Sequence, residues 1–134
     1  AVRAADHRSR MTLSTQYAQA ATAQVAIEAA FEDMAVKHDI LAKLEAVLPA
    51  DAVLATNTSY LDVNEMTASL MDPTRVIGLH FFAPAHIMKL LEIVQGAQSS
   101  DRAIATGYAL AKRLGDVMER QDAYRSGQVR NKVA

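Results

Sequence analysis

An α/β fold with a doubly wound, mostly parallel sheet is what this 134-residue sequence predicts. Three observations lead there. Short apolar runs recur at residues 25–30, 51–56 and 75–82, with the length and β-branched content of buried strands. Stretches of helical period separate them, and strand–helix alternation implies βαβ units. The composition, 51% apolar and 22% charged, is an ordinary globular balance in a chain long enough to bury a core.

Taken in order, residues 1–14 are polar, mixed in charge and without period, and read as a surface segment. Residues 15–23, rich in Ala and Gln, fit a short helix. After the first apolar run, Asp33 stands where an N-cap belongs. Ile40, Leu41, Leu44, Val47 and Leu48 then share one helical face, and Pro49 stops the helix. Beyond the second run, Asp62 and Glu65 have capping-box spacing, with Val63, Met66 and Leu70 on one face. Pro73 disfavours helix at the residue before it, so the third strand starts cleanly. Residues 87–94 fit either strand or helix, closed by Gly96. Residues 100–114 read as a helix with Ile104, Ala111 and Leu114 inward and Gly115 as its C-cap. Residues 116–134 turn polar and carry little assignment.

Several function classes are disfavoured. There is no cysteine, hence no disulfide framework or thiolate site, and His7, His38, His80 and His86 lack close metal-ligand pairing, so no metal is expected. Charge is nearly balanced at −1 with no basic run interleaved with aromatics, which argues against nucleic acid as a partner. No apolar run reaches membrane-spanning length and the N-terminus lacks an apolar leader core, so a soluble cytoplasmic protein is the expectation. The chain opens on Ala1 without a methionine, which suggests processing or excision from something longer.

In an open parallel sheet, ligands bind outside the carboxyl ends of the strands. Asn57-Thr58-Ser59 follows the second run and His80 ends the third, so Ser59 and His80 should arrive at one edge. Glu92 lies in an apolar run, where a carboxylate is costly unless paired. Each has a plainer reading by itself. Asn57-Thr58-Ser59 suits a turn before the next helix. His80 beside Phe81 and Phe82 suits a satisfied core histidine, and Glu92 suits an edge strand facing water. His38 and His86 read as surface or helix residues. The five glycines (78, 96, 107, 115 and 127) are scattered, so there is no GxGxxG turn to cradle a pyrophosphate.

Four linked strings change the weighting. Ile27-Glu28-Ala29-Ala30-Phe31-Glu32, Ala55-Thr56-Asn57-Thr58-Ser59, Arg75-Val76-Ile77-Gly78-Leu79-His80-Phe81-Phe82 and Met88-Lys89-Leu90-Leu91-Glu92 stand in collinear order. Together they resemble the L-3-hydroxyacyl-CoA dehydrogenases of fatty-acid β-oxidation, from about Met11 to Gly115. Pro84-Ala85-His86 resembles the multifunctional branch of that family. The resemblance implies an NAD-binding Rossmann-like domain followed by a helical domain that completes the acyl-CoA site and makes the dimer. Residues 1–134 would be the second half of the first domain, a partial Rossmann-like fold lacking its first βαβ unit. Residues 1–14 would form a polar N-terminal segment, and 116–134 a divergent C-terminal one.

By the same resemblance, His80 would be the catalytic base and Glu92 its orienting carboxylate. Asn57 and Ser59 would touch nicotinamide and substrate, and Glu32 and Lys37 would lie by the cofactor's ribose. Gly127-Gln128-Val129-Arg130-Asn131-Lys132 offers Asn131 for the asparagine near the substrate carbonyl. The chain departs from the family at Ala83, where an asparagine often follows His-Phe-Phe. The chemistry is consistent. Oxidising a secondary alcohol needs a base for the hydroxyl proton, and imidazole titrates near neutrality. A carboxylate on its other nitrogen fixes the tautomer and stabilises the imidazolium. The first expectation is therefore a fragment of an NAD-dependent oxidoreductase acting on acyl-CoA, inactive alone. The alternative is a non-catalytic α/β module that pairs through an exposed sheet edge, as in a homo-oligomer.

Overall fold

The computed structural model describes residues 2–58, 60–115 and 117–122, with 2–3 and 117–122 described by backbone alone. In chain order the elements are α1 (Val2–Ser9), a 3₁₀ turn (Tyr17–Ala20), β1 (Val25–Glu28), α2 (Met34–Val47), β2 (Val53–Thr56) and α3 (Val63–Thr67). A second 3₁₀ turn (Pro73–Arg75) leads into β3 (Val76–Phe81), followed by β4 (Leu90–Gln95), α4 (Asp101–Leu114) and β5 (Val117–Asp122).

The helices start where the sequence supplies an oxygen for an orphan N–H. Asp33 Oδ1 accepts from Val36 N at 3.0 Å, Asp62 Oδ1 from Asn64 N at 2.8 Å and Ser100 Oγ from Ala103 N at 3.2 Å. At the far end of α4, Gly115 takes φ 73°, the left-handed turn that lets its N–H close onto Ala111 and Lys112 carbonyls. The C-terminus of α2 is capped from a distance. Buried Arg75 donates to the Pro49 carbonyl at 2.7 Å and the Glu45 carbonyl at 3.2 Å, placing a cation where the helix dipole favours one.

The five strands of the described residues lie in the order β1-β2-β3-β4-β5. Val25 pairs with Val53 and Leu54 with Val76, both parallel, and Leu90 pairs parallel with Val117. Among the described residues only β3 and β4 run antiparallel, with Gly78 opposite Val94 and His80 opposite Glu92. The sheet is thus mostly parallel, and the ambiguous segment 87–94 resolves as a strand. Alternate residues feed two cores. Val53, Ala55, Ile77, Leu79, Leu91 and Ile93 pack under α4, while Leu54 and Val76 pack with Leu41, Leu48, Val63 and Met66 under α2 and α3. Covering both faces explains why the strands read as unbroken apolar runs.

Three local readings need correction. Residues 15–23 make only the 3₁₀ turn. Residues 1–14 are a surface segment, but they contain α1, whose Asp6 and Arg10 form an i,i+4 pair across its C-terminal end; an exposed helix has no apolar period to detect. Leu114 continues the inward stripe of α4 yet is 46% exposed, because a stripe marks a face and not how far the core beneath it reaches. β5 was not anticipated either; a polar strand at the end of a sheet leaves no alternating pattern.

Gly78 sets the closeness of β3 to β4. A Cβ there would stand 2.7 Å from Val94 Cβ, a backbone-anchored atom that cannot swing aside. Gly78→Ala is therefore expected to destabilise the fold by about 1–3 kcal/mol, read as a lower urea midpoint with an unchanged slope.

Candidate active site

β1 ends in a carboxylate that the core closes over. Glu28 is 3% exposed, and such a group persists only if its oxygens are satisfied. Lys37, 1% exposed on the first turn of α2, places Nζ 2.9 Å from both Glu28 oxygens. The Thr56 hydroxyl, at the end of β2, donates to Glu28 Oε2 at 2.7 Å, and Ala30 N donates to Oε1 at 2.6 Å. Lys37 also lies 3.4 Å from Glu32 Oε2, so one ammonium serves two carboxylates.

Glu32 extends this cluster to the loop after β2. Its Oε1 accepts the Thr58 hydroxyl and, at 3.4 Å, Tyr60 N, while Thr58 Oγ1 accepts Leu61 N at 3.0 Å. Burial pushes the Glu32 carboxyl up, but the Thr58 hydroxyl, the Lys37 ammonium and Tyr60 N–H together outweigh it and hold it below 4.5.

The second half of the site lies on β3 and β4. Val76, Gly78 and His80 alternate onto the α2/α3 side of the sheet, beyond the end of its core. His80 Nδ1 stands 3.0 Å from Glu92 Oε2, its cross-strand partner, both side chains under a fifth exposed. A carboxylate oxygen accepts, so the contact assigns Nδ1 as its donor and leaves Nε2 facing away from Glu92. Phe82 packs its ring 4.7 Å from the imidazole. Asn57 joins the two halves: its N–H donates to Glu28 O at 2.8 Å, and its Oδ1 accepts Phe81 N at 2.9 Å.

The structure thus brings His80 and Glu92 together, and Glu32 and Lys37 together, with Asn57 between the pairs. Ser59 and Asn131 lie outside the described residues, and so does the expectation that Ser59 shares the edge with His80. Among the described residues no group of three or more His, Cys, Asp or Glu is placed to hold a metal ion, and no helix is long and apolar enough to cross a membrane.

Residues 2–119 match the family model described as 3-hydroxyacyl-CoA dehydrogenase, NAD binding domain. The chain belongs to that family. It is 48% identical over 97 residues to a peroxisomal bifunctional enzyme of Cavia porcellus, covering 72% of this chain and 13% of that protein. It is 42% identical over 106 residues to a fatty acid oxidation complex subunit alpha of Pseudomonas putida, covering 79% and 14%. The chain therefore spans about a seventh of the curated relatives it matches. Among solved structures, an (S)-3-hydroxybutyryl-CoA dehydrogenase from Ralstonia eutropha superposes with TM-score 0.85 at 32% identity, over 88% of this chain and 42% of that one. The family is one of NAD-dependent oxidoreductases of fatty acid oxidation that act on acyl-CoA substrates, and its solved members are Rossmann-like.

Sequence reasoning missed Glu28, Thr56 and Thr58 as parts of the site's frame. One signal was available: Glu28 closes an apolar strand, the same anomaly that singled out Glu92.

Two outcomes test the cluster. Removing one partner of a buried ion pair leaves a bare charge, so Lys37→Met should cost about 3–5 kcal/mol in chemical denaturation, and Lys37→Met with Glu28→Gln should cost less than Lys37→Met alone. The Glu32 carboxyl is held down in the folded state, so its contribution is complete above the unfolded value and fades as pH falls through the folded one. Acidification below 4.5 should thus destabilise the parent chain more steeply than Glu32→Gln, measured as the pH dependence of the melting temperature.

Proposed function

We propose that this chain carries the proton-transferring half of an L-3-hydroxyacyl-CoA dehydrogenase site, with His80 as the base. The observation that carries the reading is the 3.0 Å contact between His80 Nδ1 and Glu92 Oε2 on neighbouring strands. Nε2 takes the proton of the substrate's 3-hydroxyl, and Glu92 holds the tautomer and stabilises the imidazolium that results. Ser59 would hold the substrate oxygen and Asn131 the carbonyl end; both assignments rest on the family resemblance.

NAD, when bound, supplies the hydride acceptor that turns the 3-hydroxyacyl group into a 3-oxoacyl group. The residues present fit part of it. Glu32, a third exposed at the sheet edge and held ionised, suits ribose hydroxyls, and the Asn57 carboxamide suits the nicotinamide side. Lys37 is buried against Glu28 and Glu32, and serves by holding Glu32 in place. The 134 residues contain no glycine turn for the pyrophosphate. Losing two or three charge-assisted hydrogen bonds at about 1.5–3 kcal/mol each weakens binding by several orders of magnitude, so the chain alone is inactive.

A second reading has one observation in its favour. β1 ends the sheet order with Ile27 41% exposed and Phe31 beyond it 78% exposed, the features of a strand edge that pairs with another chain. In that reading the chain is an interaction module or homo-oligomer.

Titration calorimetry of the isolated chain with NADH should show no binding at micromolar concentration. A chimera in which this chain replaces the matching segment of the Pseudomonas putida subunit should reduce acetoacetyl-CoA with NADH. His80→Gln in that chimera should lower kcat by about 10²–10⁴. A folded chimera whose rate is indifferent to His80 would sink the catalytic reading and leave the module.

A further inference from the structure

We propose that Asn57 is a positioning residue for His80, acting through the backbone rather than the imidazole. The inference rests on the reading of His80 as a base, and it begins with a split in the sheet. β2 and β3 pair only as far as Thr56 and Gly78, yet β3 continues to Phe81. Past Thr56 the chain stays with β1, since Asn57 N donates to Glu28 O at 2.8 Å. The main-chain N–H of Phe81 thereby loses the carbonyl that a continuing β2 would offer, and a part-buried N–H without a partner is costly. Asn57 Oδ1 takes it at 2.9 Å. One residue therefore closes both sides of the split, with its backbone on β1 and its side chain on β3.

That hydrogen bond has a specific consequence. The N–H of Phe81 belongs to the peptide group that begins at the His80 carbonyl. Fixing its plane fixes ψ of His80, and with it the direction in which the imidazole leaves the strand. Glu92 aligns the ring from β4, 3.0 Å from Nδ1, while Asn57 aligns the main chain from the β2 side. The loop carrying Asn57 is in turn tied down by Thr58 through Glu32 to Lys37. A carboxamide suits this position because its oxygen accepts the N–H and it adds no charge beside the dyad.

The test uses ¹⁵N-labelled parent chain, Asn57→Ala and Asn57→Asp, read by NMR without cofactor or substrate. Asn57→Ala should raise amide exchange at Phe81 about tenfold while the ladder amides of β1 and β2 keep their protection. It should also move the His80 ring nitrogen shifts away from the Nδ1–H tautomer. Asn57→Asp retains an acceptor and should restore the Phe81 protection, while the charge it adds beside the dyad leaves the ring shifts altered. If Asn57→Ala does not fold, Asn57→Asp decides the matter by the Phe81 amide, because a charged acceptor should slow its exchange relative to the parent and an unchanged rate overturns the proposal. Unchanged Phe81 exchange in Asn57→Ala, unchanged ring shifts, or failure of Asn57→Asp to protect Phe81 overturns the proposal. Because these readouts need no turnover, a chimera without activity leaves this result standing, and the reverse also holds.

Discussion

One buried ammonium organises the site end of this sheet. Lys37 is 1% exposed, and a cation so placed is tolerable only with its hydrogen bonds complete. Completing them draws in Glu28 from the end of β1 and Glu32 from the loop beyond it, and Glu28 in turn engages Thr56 from β2. The first turn of α2, two strand ends and the loop after β2 are therefore held to one charge. Apolar packing alone would leave the loop beyond Thr56 free to choose its path, because packing is non-directional. The ion cluster chooses it.

The path matters because it parts β2 from β3 beside the His80–Glu92 pair. Beyond Thr56 the chain remains with β1, while β3 turns its remaining pairing toward antiparallel β4. Antiparallel neighbours put directly opposed side chains within about 4.5–5.5 Å, close enough for a histidine and a carboxylate to share a proton. His80 and Glu92 meet for that reason, and Gly78 opposite Val94 lets the two strands approach. The end of the β2–β3 pairing at Gly78 and the His80–Glu92 pair between β3 and β4 thus lie within three residues of each other on one strand.

What could be read from the sequence was whatever is encoded locally. The strand segments, the caps at Asp33 and Asp62, and the stop at Gly115 depend on neighbours a few residues away. The candidate residues His80, Glu92, Asn57 and Glu32 were nameable through four spaced strings, and Lys37 through the resemblance those strings carry, although spacing alone left plainer readings open. Elements without an apolar pattern escaped notice: α1 is exposed, and β5 is polar.

The sequence by itself determined the fold class, the cap positions and which polar residues stand at the ends of apolar runs, since period and chain order are properties of the string. Tertiary structure alone decided how those polar residues pair. Lys37 turned inward to Glu28 because two strand ends converged on it. Asn57 acquired Phe81 as a partner because β2 and β3 part there, a divergence that no local pattern encodes. Hydrogen bonds between residues 24 or more positions apart are set by register, and register belongs to the sheet as a whole.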